Sequence, residues 1–413
     1  MTSKERKYSL LEYAMIFPKG GIEMEMIKET KLLEELISIR RHLHQNPEVG
    51  MALSITKNFV WQKLVEYGYE PKACGKMGIT CTIGQGENVF LLRADMDALP
   101  LMEDTDLSFR SRNGAMHACG HDMHTTMLLG AAKILKEREM ELKGTVKLLF
   151  QPGEEILQGA KDCLEDGLLD NPKVNAGAMI HVFPFKNLPV KNVLVAPAGT
   201  FMASADWFEI KVAGVGSHGS MPEVSIDPIN VATKIYEALQ TLSAREISSA
   251  ERFVLTIGEF VGGTPGSSNV IPNSAYMKGT LRTLKEEVRQ QIKKRMVEIS
   301  EAIGQAFGAQ VTVDFTNGCC SNEVDHDVTA TVKTRLEKVF PSNILQHAPL
   351  AVPMMGSEDF GEISHRIPTT TLFITAADTE LMLHNPKIVL DENILEFGAN
   401  VYVEAALAFL EGA

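Results

Sequence analysis

No apolar run in this sequence approaches the about 20 residues that a membrane-spanning helix needs, and the mixed N-terminal segment contains no secretory h-region. A disulfide framework is also missing. Six cysteines are scattered through 413 residues without even spacing, so a reducing cytoplasm is the expected setting. Positive charge is in deficit: the formal net charge is -13, and no basic stripe offsets it. That excludes a general affinity for nucleic acid or anionic membrane. Internal repeats and low-complexity tracts are absent as well. What remains is a folded chain, 45% hydrophobic and 23% charged, too long for one ordinary core and best divided into two domains.

The first residues, MTSKERKYSLLEYAMIFPKGGIEMEM, carry Lys19-Gly20-Gly21 shortly before Met24. A purine-rich run of codons there would position a bacterial ribosome, so synthesis is expected to begin at Met24 or Met26. Residues 1–26 then form an extension that is not made.

From Ile27 the chain alternates between helical and strand patterns. Leu32, Leu33, Leu36, Ile37, Ile39 and Leu43 recur at helical spacing before Pro47, which predicts a helix over Lys31–Asn46. Val89–Arg93, Val146–Phe150, Ala176–Val182 and Thr370–Thr375 are short apolar runs of the kind that become buried parallel strands. With a helix over Thr125–Lys136 between them, the outer parts of the chain read as an α/β sheet covered by helices. The middle differs: strands over Trp207–Val212, Arg252–Glu259, Ala275–Arg282 and Val311–Phe315 are interleaved with helices over Pro228–Leu242 and Glu286–Phe307. That βαββαβ order is one ferredoxin-like unit, inserted between Gly199 and Thr316, where small or turn-forming residues tolerate insertion. The expected division is therefore residues 27–198 and 317–413 for the outer domain, with residues 199–316 inserted.

Chemistry-bearing residues gather just past the buried strands. LLRADMDALP carries Asp95 and Asp97, LLFQPGEE carries Glu154 and Glu155, MIHVFP carries His181, and LMLHNPKI carries His384. Carboxyl ends of parallel strands are where open α/β sheets bind ligands. MHACGHDMHT, at a helix start, brings Cys119 and His121 to the same crevice. Cys119, His121, Glu155, His181 and His384 make one donor more than a tetrahedral zinc takes and suit two metals sharing a bridge. Cys119 is the natural bridge. Thiolate and imidazole suit Zn²⁺, Co²⁺ and Ni²⁺, and the carboxylate keeps Mn²⁺ open. Gly120 removes bulk between two ligands that must both face inward, and Asp95 is placed to accept the outer N–H of a ligating histidine. Glu154 is left free as general base for hydrolysis of an amide by a metal-activated water.

RADMDALP, HACGHDMHT, FQPGEE, SHGSMP, GSEDF and His384 together resemble the di-metal aminoacylase and carboxypeptidase family, in the branch of hippurate hydrolases, indole-acetyl-amino-acid hydrolases and N-acetyl-diaminopimelate deacetylases. The resemblance runs from Leu32 to the C-terminus. It implies a mixed, mainly parallel sheet sandwiched by helices, with the inserted unit as a lid through which subunits form a homodimer or a dimer of dimers. It implies two divalent ions, Zn, Mn, Co or Ni, on Cys119, His121, Glu155, His181 and His384, with Glu154 as base. Three lid residues gain roles in the same way: His218 stabilises the oxyanion from across a dimer, and Asn269 and Arg282 hold the substrate carboxylate. Gly356 and Ser357 form a loop over the substrate, tied down by Glu358 or Asp359. The chain departs from the branch at Glu223, where relatives often carry histidine, so no substrate contact is carried over from that position. The implied substrate is an N-acetyl, N-benzoyl or N-aryl-acetyl amino acid; the alternative is a dipeptide or a carboxypeptidase substrate cleaved by the same centre.

Other residues have plainer readings. His124 is expected to point away down its helix, His117 precedes the turn, Asp122 serves as a helix N-terminal charge or as an outer partner of a ligand, and His42 and His44 lie on the face of the first helix. Cys319 and Cys320 are small partly buried residues, while Cys74, Cys81 and Cys163 have no evident partners. Two rival functions stand at this point: a thiol hydrolase with Cys119 as nucleophile and His121 as base, and a non-catalytic protein with a structural metal.

Overall fold

The computed structural model describes residues 30–345 and 353–412; the N-terminal extension and its alternative starts at Met24 and Met26 lie outside them. The helix expected over Lys31–Asn46 forms as Lys31–Gln45, and Thr30 caps it by accepting from the Leu33 N–H. The short apolar runs become the centre of a seven-stranded sheet. Thr145–Gln151, Val89–Asp95, Ala176–Pro184 and Thr369–Ala377 lie side by side and parallel. Gly78–Gly84 and Val193–Val195 extend the sheet antiparallel at its two sides.

All side chains of Val89–Asp95 and Thr145–Gln151 are buried, which is why both faces read as apolar. Helices cover the sheet. His121–Glu137 and Leu395–Glu411 approach closely where residues are small: a Cβ on Gly130 would stand 2.8 Å from that of Ala399. The Tyr402 hydroxyl then donates to the Arg93 carbonyl at 2.8 Å and accepts from the Ile180 N–H at 3.3 Å. The last helix thereby clamps two neighbouring strands just before their functional ends.

The inserted segment builds a separate sheet in which Phe253–Gly262, Ser274–Thr283, Ser204–Ala213 and Gln310–Cys319 neighbour one another in that order, all antiparallel. This is the strand order of a ferredoxin-like unit. Helices Pro228–Gln240 and Glu286–Phe307 cover one face and share a core with Phe208, Ile210, Ile235, Met277, Ile292 and Met296. Strand pairing continues around both expected boundaries, Gly199 and Thr316. Gly199–Met202 pairs with Asn322–Val324 outside this sheet, and the last strand runs on to Cys319. The inward-leaning position after Phe315 is the polar Asn317, so the apolar pattern stops before the strand does.

Candidate metal centre

Helix His121–Glu137 begins directly after Gly120, whose backbone has φ +84. A Cβ at Gly120 would stand 2.4 Å from Val182 Cγ2 and 3.0 Å from Leu390 Cδ1. Only glycine meets both demands, and the sharp turn it permits aims Cys119 and His121 at one point. His384 arrives from the opposite side on a loop whose N–H donates to the Ala118 carbonyl at 2.9 Å. It does so with φ +67, a left-handed conformation that a non-glycine residue holds only under constraint.

The imidazoles are oriented by main-chain carbonyls. His121 Nδ1 donates to the Asp97 carbonyl at 2.8 Å, and His181 Nδ1 donates to the Val182 carbonyl at 2.7 Å. In each neutral ring the lone pair therefore sits on Nε2, the nitrogen that a metal takes. His181 Nε2 lies 3.6 Å from Cys119 Sγ, and His384 Nε2 lies 3.3 Å from Glu155 Oε1. Two groups of donors result, Cys119 with His121 and His181, and Cys119 with Glu155 and His384, each within 4.8 Å. Cys119 belongs to both.

His121 Nε2 and Glu155 Oε1 are buried without a hydrogen-bond partner. Such atoms are costly to leave unsatisfied, and a cation between them removes the cost. The five donors thus fit a pair of divalent ions. Burial first, and then the nearby Glu155 charge, raise the pKa of the Cys119 thiol, so without a metal the cysteine is a poor nucleophile.

Asp95 departs from its expected role. Its Oδ1 accepts from His124 Nδ1 at 2.7 Å and its Oδ2 accepts from Arg93 Nη1 at 2.7 Å, so it accepts no outer N–H of a ligating histidine, although Oδ2 lies 3.8 Å from His121 Nε2. The main-chain carbonyls of Asp97 and Val182 take those N–H groups instead. His124 also differs: rather than pointing away, it lies buried one helical turn beyond His121 and accepts from the Val182 N–H through Nε2 at 2.8 Å. Both its nitrogens are used, which leaves none for a metal. His44 does not sit on an open helix face, since its ring is buried between Asp122, at 2.8 Å, and Glu103, at 3.2 Å. His42 does lie on the exposed side, stacked on Phe59. Cys74 and Cys163, which show no partner in the sequence, hydrogen-bond each other's carbonyls at 3.7 and 3.6 Å.

Two contributors carry no assigned role in the sequence. Asp97 accepts from the Glu154 N–H at 2.9 Å and from the Glu155 N–H at 3.2 Å, so one buried carboxylate fixes the backbone of both glutamates. Asp97→Asn, which keeps the shape but sets an amide against one of those N–H groups, is expected to weaken metal binding by about 10–100-fold. Competition with a chelator measures this, and unchanged affinity would remove Asp97 from the site.

Arg93, wholly buried, donates to Glu358 at 2.7 Å and to Asp359 at 3.0 Å besides Asp95. A charged residue inside an apolar parallel strand was the available signal, as was the alternation that puts Arg93, Asp95 and Asp97 on one side. Carboxylate oxygens of Glu154, Glu358 and Asp359 lie within 4.8 Å of one another. Burial, Glu358 and Glu155 together hold the Glu154 carboxyl well above the usual carboxylate range. Burial pushes Asp359 up to about 7 against the pull of Arg93.

The residues of the inserted unit stand apart from this cluster. His218 is exposed and accepts from the Ser220 N–H through Nδ1 at 3.1 Å, which puts the proton of the neutral ring on Nε2. Asn269 lies beside it, its carbonyl accepting from the Gly219 N–H at 2.7 Å. Arg282 donates through Nη1 to Ser357 Oγ at 2.9 Å and to the Met355 carbonyl at 3.4 Å, meeting the loop that carries Gly356. A Cβ on Gly356 would meet only Met202 Cε, at 3.9 Å, so the fold itself does not require glycine there.

A helix-covered α/β sheet with such donors at its strand ends, and a spare carboxylate beside them, defines a metal-dependent hydrolase. The chain belongs to Peptidase family M20/M25/M40, whose model matches residues 91–408. It is 35% identical over 398 residues to the N-acetyl-L-cysteine deacetylase of Bacillus subtilis, covering 94% of this chain and 91% of that one. It is 36% identical over 400 residues to the hippurate hydrolase of Campylobacter jejuni, covering 94% and 100%. Among solved structures, a dinuclear metal-binding peptidase of the M20 family from Bacillus subtilis aligns with a TM-score of 0.75 and 32% identity, covering 92% of this chain and 99% of that one.

Proposed function

We propose that this hydrolase cleaves the amide of N-acyl amino acids, releasing a carboxylic acid and a free amino acid. The observation that carries the reading is the pair of donor triads joined at Cys119, with Glu154 beside them and uncommitted. Cys119, His121, His181, Glu155 and His384 would hold the two divalent ions; Zn, Mn, Co and Ni all suit these donors. When bound, the ions activate water and polarise the scissile carbonyl. Glu154 takes the proton of the attacking water and passes it to the departing amine nitrogen. His218, with its proton on Nε2, is in the tautomer that donates to the developing oxyanion.

The substrate carboxylate belongs at Arg282. Arg40, Arg93, Arg138, Arg289, Arg295 and Arg335 each meet a carboxylate. Among the described arginines that are not exposed, Arg282 alone meets none. Burial lowers its pKa, the signature of a cation lacking its counter-charge. Asn269 and the open space at Gly356 complete the carboxylate side. The exposed apolar residues Val215, Met221, Val224 and Val270 near His218 support pairing of two copies through the inserted unit, as a homodimer or a dimer of dimers. No described helix is long and apolar enough to cross a membrane. Six free cysteines, five of them buried, support residence in the cytoplasm.

The test is a panel of N-acetyl, N-benzoyl and N-aryl-acetyl amino acids, with dipeptides, assayed with each metal in turn. N-acyl amino acids should be the best substrates, and Arg282→Met should raise KM for them by about 10–100-fold, as expected for losing a charge-assisted contact. Dipeptides outrunning every N-acyl amino acid would instead select the carboxypeptidase reading, which the description of the structural relative as a peptidase favours.

A further inference from the structure

The segment from Met355 to Asp359 is gripped from three sides. Arg282, on strand Ser274–Thr283 of the inserted unit, holds Ser357 and the Met355 carbonyl. The Ala203 N–H, at the entry to that unit, donates to the Gly356 carbonyl at 3.0 Å. Arg93 of the main sheet holds Glu358 and Asp359, and Asp359 Oδ2 also accepts from the Ala160 N–H at 2.9 Å. Ser357 is thus the residue of this segment whose side chain faces the inserted unit, with its neighbours anchored to the catalytic sheet.

We infer that Ser357 is a positioning residue that sets Arg282 for the substrate carboxylate, and so governs the preference for acyl amino acids with a free carboxylate. The inference rests on the reading that Arg282 receives that carboxylate. A hydroxyl and a main-chain carbonyl orient the guanidinium through one nitrogen, Nη1, without neutralising it. Nε and Nη2 have no partner among the described residues. Those two nitrogens form one edge of the fork, the edge that takes a carboxylate in a bidentate pair. A carboxylate at 357 would satisfy the cation internally and remove its reason to bind substrate, and a methyl would let the flexible side chain lose its aim. Because Glu358 and Asp359 are held by Arg93 independently, a change at 357 acts on Arg282 rather than on the cluster beside Glu154.

The experiment compares N-benzoylglycine with its neutral α-amide in the metal-loaded enzyme, for wild type, Ser357→Ala, Ser357→Thr, Ser357→Asp and Arg282→Met. Ser357→Ala should raise KM for the acid by about 10-fold, the loss expected for one hydrogen bond to a charged group. Its effect falls on KM rather than kcat, and KM for the amide stays as in wild type. Ser357→Thr, which keeps the hydroxyl, should restore the acid KM, and Ser357→Asp should abolish the preference for acid over amide. Equal KM values for Ser357→Ala and wild type on the acid would overturn the inference while leaving the role of Arg282 standing. If Arg282→Met keeps the full preference for acid over amide, the carboxylate reading itself falls, and the inference with it.

Discussion

Glu154→Gln is expected to lower kcat by about 10²–10⁴-fold, the usual contribution of a positioned acid–base group, with the metal content unchanged. The substitution keeps size and hydrogen-bonding shape but removes the proton acceptor. The backbone N–H of Glu154 is held by Asp97, so the altered side chain stays where the carboxylate was. Its nearest cationic candidate, His121 Nε2, is 3.9 Å away, and its carboxyl neighbours are Glu358 and Asp359. No hydrogen-bonded cation therefore holds the Glu154 carboxyl, whereas that of Glu155 lies against His384. Steady-state kinetics with metal analysis of the same sample checks both halves of the expectation. A Glu154→Gln enzyme that turns over at the wild-type rate would show that some other group moves the proton.

The second large effect is at Cys119. Because both donor triads contain it, Cys119→Ser should loosen both ions at once, by more than the roughly 10–100-fold seen for losing an outer hydrogen-bond partner. Dialysed protein should then retain less than one metal equivalent and show no measurable hydrolysis. A serine hydroxyl is harder and far less acidic than a thiol, so it does not replace a thiolate between two cations. The same experiment judges the thiol-hydrolase alternative. A variant that loses activity while holding both metals at full affinity would make Cys119 the reacting group, and so would a wild-type enzyme that remains active in a chelator.

Much of the fold was legible because it rests on periodicity. The four central strands announce themselves as apolar runs, since both of their faces are buried, and the long helix Glu286–Phe307 shows a regular apolar stripe. Gly78–Gly84 was harder to see: it contains threonines and two glycines, and its place beside Thr145–Gln151 depends on a partner distant in sequence. Donor residues stood out where two or more occurred together, as in Cys119-Gly120-His121 and Glu154-Glu155. Second-layer partners did not. His124, Asp97 and Arg93 differ from ordinary buried polar residues only in what they touch, as His124 does in accepting from the Val182 N–H.

Burial pattern and side-chain chemistry are local properties, and they were enough to read the α/β plan and to nominate the strand-end residues as candidate donors. Folding in three dimensions was needed to settle which nitrogen of each histidine is free, that the hydrogen bond of Asp95 goes to His124, and that Arg282 lacks a counter-charge. Those are outcomes of hydrogen-bond competition among groups far apart along the chain. In a buried site each donor and acceptor takes the partner that chain closure puts within reach, and linear spacing carries no record of that choice.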